Sequence, residues 1–260
     1  MAFCKEELVD YLNSIGYNVV RLPRKGIYPL DIIIKQNKQF ENLGTIKTIW
    51  TTATSAPEPE HNDQAAGIAK KETSLLDVSV GLSALSSIFE GLGVKVPKLN
   101  TAFSKASKIK IIFNNVFVDK VQPLLIGKYL KAQGDNTLDT DNIMVKNFME
   151  NKLPTYIISE TIKSNSITIE SYKDSKTEVA LDVNIMNDSL SANTDTKFQK
   201  NSESSITYNG AEKDFLVFGF KCFGIRYDYE GWKVTGPGGK VFLAPDIPGV
   251  ILEETALLDL

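Results

Sequence analysis

The spacing of apolar residues predicts a chain that opens on a short helix and then runs mostly as strands. Leu8, Leu12 and Ile15 fall at i, i+4 and i+7 among the acids Glu6, Glu7 and Asp10. That is one face of a short amphipathic helix with acids in its first turns, where the helix dipole favours them. Gly16 ends it, and residues 17–22 follow as a strand that stops before Pro23. Residues 29–35 and 44–52, rich in Ile, Thr and Trp, predict two more strands. Residues 51–66, with Pro57, Glu58, Pro59 and Glu60, predict a polar loop.

The next segment satisfies two periods at once. Val78, Leu82, Leu85, Phe89 and Leu92 mark one face of a helix, while Leu76, Val78, Val80, Leu82 and Ala84 alternate with polar or small residues as a strand does. One outcome is a buried helix weakened by Gly81 and its serines; the other is a segment that is helix in one state and strand in another.

Residues 109–118 predict a strand with Lys108 and Lys110 set against Ile109, Ile111 and Phe113. Residues 121–132 predict a helix with Pro123 in its first turn and Gly134 closing it, and residues 142–151 a shorter one stopped before Pro154. Residues 156–172 then read as a strand, paired as a hairpin with 177–186 across the turn at 173–176. Residues 187–205 are polar and predict a long loop or flexible strand extension. Residues 212–229, carrying Phe215, Phe218, Phe220 and Phe223, predict the central strand. The fold class is α+β: a twisted, mostly antiparallel central sheet with peripheral helices and a C-terminal peptide packed on the body.

Composition narrows the function. A chain of 260 residues can bury a full core. A net charge of −3 offers no basic field, so no nucleic-acid partner is expected. Two cysteines, Cys4 and Cys222, exclude a disulfide framework and point to a reducing compartment. Together with the lone His61 they cannot supply an ordinary metal site, so no metal and no cofactor is expected. The longest apolar runs, such as 215–220, fall far short of the roughly 20 residues a spanning helix needs. The first residues lack the n- and h-regions of a secretory signal, and the expected location is the cytoplasm. Enzyme templates fail as well: the 236–240 run has no Walker spacing, no Gly-x-Ser-x-Gly occurs, and His61 sits among polar loop residues. Cys222, inside the central strand, reads as a buried packing residue. No residue is expected to be catalytic. Cys4, beside Phe3 and ahead of the first helix, is either an incidental thiol or an acylation site that would tune membrane affinity.

The last twenty residues differ from the rest. Residues 241–260 contain no Lys or Arg and four acids, leaving the preceding body at +1. They also carry Val241, Phe242, Leu243, Ile247, Val250, Ile251, Leu252, Leu257, Leu258 and Leu260. At about 25 cal/mol per Å² of apolar area, docking a few of these side chains is worth several kcal/mol. The segment is therefore either a last strand with a packed turn or a detachable cover.

Cys4, the 16–23 stretch Gly-Tyr-Asn-Val-Val-Arg-Leu-Pro, Pro29-Leu30 and the 218–225 strand Phe-Gly-Phe-Lys-Cys-Phe-Gly-Ile together resemble the bacterial gasdermins. The likeness runs along the whole chain, which lacks the large C-terminal inhibitory domain of the animal branch. It implies an autoinhibited pore-forming protein of anti-phage defence, with a body at 1–234, a protease-sensitive linker at 235–246 and an autoinhibitory peptide at 247–260. An activating protease would cut in the linker, with Lys240, Phe242, Leu243 and Asp246 as candidate positions and Pro245 and Pro248 hindering cuts beside them. Ile247, Val250, Ile251, Leu252, Leu257 and Leu258 would form the inhibitory contacts. The body, a monomer when inactive, would become a homo-oligomer among the lipids of the inner membrane and kill the cell. The one covalent group implied is a palmitoyl chain on Cys4, placed there by self-palmitoylation. Such a pore needs strands of about 9–11 residues with one apolar face. Residues 156–172 with 177–186 could supply one hairpin, and 75–92 with 109–113 the other. Against this stand a soluble α+β interaction module with a structural last strand and, a distant third, a small hydrolase without a recognisable motif.

Overall fold

A computed structural model describes residues 12–36, 39–50, 55–65, 67–68, 75–91, 96, 98–133, 138–150, 152–182, 184, 198–210, 215–228, 231–236 and 250–252. The elements are β1 (Asn18–Arg24), β2 (Asp31–Gln36), β3 (Gln39–Thr45), β4 (Glu60–Gln64), β5 (Leu76–Asp77), α1 (Val78–Gly91), α2 (Leu99–Ala102), β6 (Lys108–Asn114) and β7 (Phe117–Lys120). There follow α3 (Pro123–Gln133), α4 (Ile143–Met149), β8 (Thr155–Ser164), β9 (Ser166–Tyr172), β10 (Phe198–Lys200), β11 (Ser205–Asn209), β12 (Leu216–Asp228) and β13 (Gly231–Thr235).

The α+β class holds, and every strand pairing among the described residues is antiparallel, but two sheets replace the single central one expected. An eight-stranded sheet runs β1-β12-β8-β2-β3, with β13 on β12, β7 on β8 and β4 on β7. A five-stranded sheet runs β10-β11-β9-β6-β5. Two expected strands turn out to cross from one sheet to the other. Residues 109–118 break at Asn115, where φ is +46°, into β6 and β7. Residues 156–172 break at Asn165 into β8 and β9. Polar residues stitch this corner: Ser164 Oγ donates to the Asn114 carbonyl, Asn114 Nδ2 to Thr168 Oγ1 at 2.8 Å, and Ser166 Oγ to Asn209 Oδ1 at 2.7 Å. A strand that changes sheets needs a break in its ladder, and these short polar side chains occupy the groups the break frees.

Four further expectations are corrected. β1 carries on through Pro23 to Arg24; it is an edge strand whose register shifts after Val19, where a residue without an N–H is tolerated. Within residues 44–52, Ile46–Ile49 is a 3-10 turn, because Ile46 and Ile49 are spaced three apart and both reach the core. Within the expected loop 51–66, residues 60–64 form β4, wholly exposed and paired with β7. Of the hairpin partner expected at 177–186, the described residues form no regular strand: Tyr172 bridges Glu178, Val179 N–H reaches Ser171, and Leu181 N–H turns to Glu203. The physical reason is competition, since β11 already holds that edge of β9 from Ser205 opposite Glu170.

Other readings stand. The first helix ends at Gly16, whose φ is +87°; its residues 1–11 lie outside the described part. α1, α3 and α4 fall where expected, and β12 lies inside its sheet between β1 and β8. Among the described residues the core has three parts. In the first, Leu85, Ile88 and Phe89 of α1 meet Ile109, Ile111, Ile169 and Tyr208. In the second, Ile126 and Leu130 of α3 meet Ile32, Trp50, Ile157 and Phe223. The third gathers Val20, Ile27, Ile33, Phe40, Ile158, Val217, Phe220 and Cys222, with Val250 and Leu252 packed against it.

Candidate functional site

The tail lands on that third core. Asn18, 2% exposed, opens β1 opposite Phe220 of β12. Its Nδ2 donates to the Val250 carbonyl at 2.8 Å, and its Oδ1 accepts the Leu252 N–H at 2.7 Å. The Val250 N–H donates to the Cys222 carbonyl at 2.9 Å. Residues 250–252 are thus read through their backbone, while the alternate side chains Val250 and Leu252 rest on the apolar cluster, as in recognition by strand addition. Cys222 is the packing residue its sequence context suggests. It is fully buried, burial pushes its thiol far above the ordinary range, and its Sγ lies 3.6 Å from the Val250 carbonyl.

Beside Asn18, Tyr17 ties the end of the first helix to the sheet. Its hydroxyl donates to Glu160 of β8, and Lys221 of β12 lies 3.4 Å from the same carboxylate and 4.4 Å above the tyrosine ring. Burial raises the Glu160 carboxyl above its usual range, against the opposing pull of Lys221. Close approach here depends on Gly219: a side-chain carbon there would stand 2.8 Å from Ile162 Cδ1 and 3.2 Å from the Asn18 carbonyl.

A second feature lies at one end of the five-stranded sheet. Asp77 pairs with Lys108, Lys108 with Tyr172, and Ser205 with Glu170. So β5 leaves, and β6 returns, at the same end from which β9 leaves and β11 returns. Between β5 and β6 the chain inserts about thirty residues, including α1 and α2; between β9 and β11 it inserts about as many. Both inserts start and finish at one end of the antiparallel array β11-β9-β6-β5.

Of the residues singled out in the tail, Val250, Ile251 and Leu252 are described, and Val250 and Leu252 are docked. Cys4, Lys240, Phe242, Leu243, Asp246, Ile247, Leu257 and Leu258 lie outside the described residues. Sequence reasoning missed Asn18 as the receptor. Its signal was an amide set among Tyr17, Val19 and Val20, where a strand inside a fold would favour a β-branched residue. Among the described residues there is no cluster of His, Cys, Asp and Glu fit to hold a metal ion. Nor is any described helix long and apolar enough to cross a membrane, a test that says nothing of strands.

Comparison with known proteins agrees from several directions. The family model described as Bacterial Gasdermin Family matches residues 20–236. Gasdermin bGSDM of Vitiosangium sp. (strain GDMCC 1.1324) is 33% identical over 262 residues, spanning 100% of this chain and 96% of that protein. Gasdermin bGSDM of a Desulfuromonadales bacterium is 31% identical over 228 residues, spanning 87% and 84%. The structure of a bacterial gasdermin from Bradyrhizobium tropiciagri superposes with a TM-score of 0.63, covering 89% of this chain and 91% of that one. Its sequence identity is 17%, so that likeness speaks for the fold. With the family model matched over most of its length and relatives above 30% identity along nearly all of it, this chain belongs to the bacterial gasdermins.

Proposed function

We propose that this gasdermin is an autoinhibited pore-forming protein. A protease cuts the 235–246 linker, the tail leaves, and the body oligomerises into a β-barrel pore in the inner membrane of an infected cell. The observation that carries this reading is the common origin of the two inserts. A sheet that crosses lipid must leave no backbone group unpaired, which only a closed barrel achieves. One chain of this size cannot close a wide barrel, so several copies must contribute strands. Each insert is long enough to become two strands of about 9–11 residues and a turn. Since both leave one end of β11-β9-β6-β5, straightening them extends a four-stranded antiparallel array without new register choices. This replaces the pairing of 156–172 with 177–186: the second hairpin grows from β9 and β11. The first grows from β5 and β6, where α1 carries the doubly periodic sequence.

Tail docking supports the inhibitory half of the reading. Val250 and Leu252 pack against the cluster that holds Val20, Phe220 and Cys222, and in sequence the linker leads to them from the body. Loss of the tail's four acids also leaves a body of +1, a small help near an anionic leaflet. The cut falls at or near Lys240, Phe242, Leu243 or Asp246, and Cys4 carries the palmitoyl chain.

The test is dye release from liposomes by the chain with a specific protease site placed at 236–240. Rapid leakage is expected only after cutting. Complete cutting without leakage, across several lipid mixtures, overturns the proposal and leaves a soluble interaction module. Intact mass of protein made in its native host checks the acyl group: an added palmitoyl mass is expected, and its loss in Cys4→Ala.

A further inference from the structure

Strand β1 lies between the tail and helix α1. Tyr17 and Val19 enter the core that Leu85 and Phe89 of α1 cover. Asn18 and Val20 belong to the other side, where Val250 and Leu252 lie. In the eight-stranded sheet β1 pairs with β12 alone, through Asn18 opposite Phe220 and Val19 opposite Gly219 before the register shifts and Arg24 opposite Val217 after it. That is a short ladder for a strand with neighbours on both faces.

We infer that Asn18 couples the tail to α1. Its amide bonds the tail at two points and so holds the start of β1 in the place that α1 needs. The inference rests on the tail being the inhibitory element proposed above. When residues 250–252 leave, the Asn18 amide keeps only distant neighbours, the Phe220 carbonyl at 3.5 Å and the Cys222 sulfur at 3.7 Å, and the Cys222 carbonyl loses the Val250 N–H. Water entering the vacated place takes over both groups, so the tail no longer holds the start of β1, and only the ladder to β12 and the apolar contacts keep these groups where they were. The shift open to them is β1 lifting from β12. Tyr17 and Val19 move with it, and α1 loses part of the floor it rests on. Removing the tail on one side of the strand thus frees, on the other side, the helix whose sequence also reads as a strand.

Two substitutions test this from opposite partners. Asn18→Asp keeps the acceptor for the Leu252 N–H and replaces the donor to the Val250 carbonyl by an oxygen. Leu252→Pro removes the tail's own N–H and leaves the body untouched. Hydrogen exchange of the uncut full chain is the readout, with α3 as the internal reference. Both variants are expected to raise exchange of the α1 amides about tenfold or more while α3 keeps its protection. Glu58→Gln, at an exposed residue of the body paired with Lys47 rather than with the tail, is expected to match the parent. Faster exchange confined to the tail overturns the coupling, as does an equal rise in α1 and α3, which is general destabilisation. Dye release after cutting separates the two proposals. A parent that leaks when cut, with α1 still protected in both variants, rejects the coupling and keeps the pore-former. A parent that never leaks rejects the pore-former, while the α1 response still decides the coupling.

Discussion

A single methyl group decides how helix α1 can sit. A Cβ at Gly81 would stand 2.9 Å from Ile109 Cβ, so the glycine lets the helix lie directly on β6. Gly81→Ala gains about 1 kcal/mol of helix propensity but forces an overpacked contact costing about 1–3 kcal/mol. The expected outcome is a net loss and a thermal midpoint lower by a few degrees; a higher midpoint would mean that the helix shifts freely. Asp119 is a second such residue. Burial alone would raise its carboxyl, but Lys163 at 2.5 Å, the Asn62 N–H at 2.9 Å and His61 at 3.3 Å outweigh it and hold it below its ordinary value. A carboxyl held low contributes stability that is present above the ordinary carboxylate range and lost as pH falls through its folded value. Asp119→Asn leaves the nearly buried Lys163 without its counter-charge, at a cost of about 3 kcal/mol near neutral pH. Denaturant unfolding across pH should show that cost shrinking as pH drops toward the acid range, because the parent loses its advantage there.

Among the elements, α1 is held by one aromatic knot. Phe89 meets Phe198 at 5.3 Å and Tyr208 at 5.5 Å, both edge-on, which ties the first insert to β10 of the second and to β11. Phe89→Ala should cost about 3–5 kcal/mol in denaturant unfolding and, in the cut protein, speed dye release. A variant as stable as the parent would show that the knot does not hold the helix. The helix was legible from sequence together with its ambiguity, and the structure uses both periods in turn: Leu76 and Asp77 pair as a strand before Val78 begins the helix. Strands were legible where side chains alternate, as in β6 with Ile109, Ile111 and Phe113 buried. Their corners were not, because a break at Asn115 or Asn165 depends on which sheet awaits the chain. β4 was illegible for another reason: its five exposed polar residues carry no apolar signal, and only pairing with β7 makes them a strand. The tail's wish to dock could be read from its composition. Its receptor could not, because Asn18 becomes one only when β1, β12 and residue 250 meet.

At the scale of the whole molecule, the proposed reading makes the linker a tether. While it is intact the tail would face its docking site at an effective concentration of about a millimolar; cutting would replace that with the far lower concentration of the free peptide. A synthetic peptide of residues 247–260 should therefore suppress leakage of the cut protein near 1 mM and fail near 10 µM. Suppression at low micromolar would mean that the tail binds well without its tether. The five-stranded sheet adds a constraint of another kind. Among the described residues its outer strands are β5, two residues long, and β10, three residues long. Edges that short give a second copy almost nothing to pair with, which is how natural sheets avoid growing into fibres. On the proposed reading, copies join along a seam that the described edges of the folded chain do not offer. That seam forms as the inserts straighten, so that unfurling comes before assembly, an order set by the length of two strands.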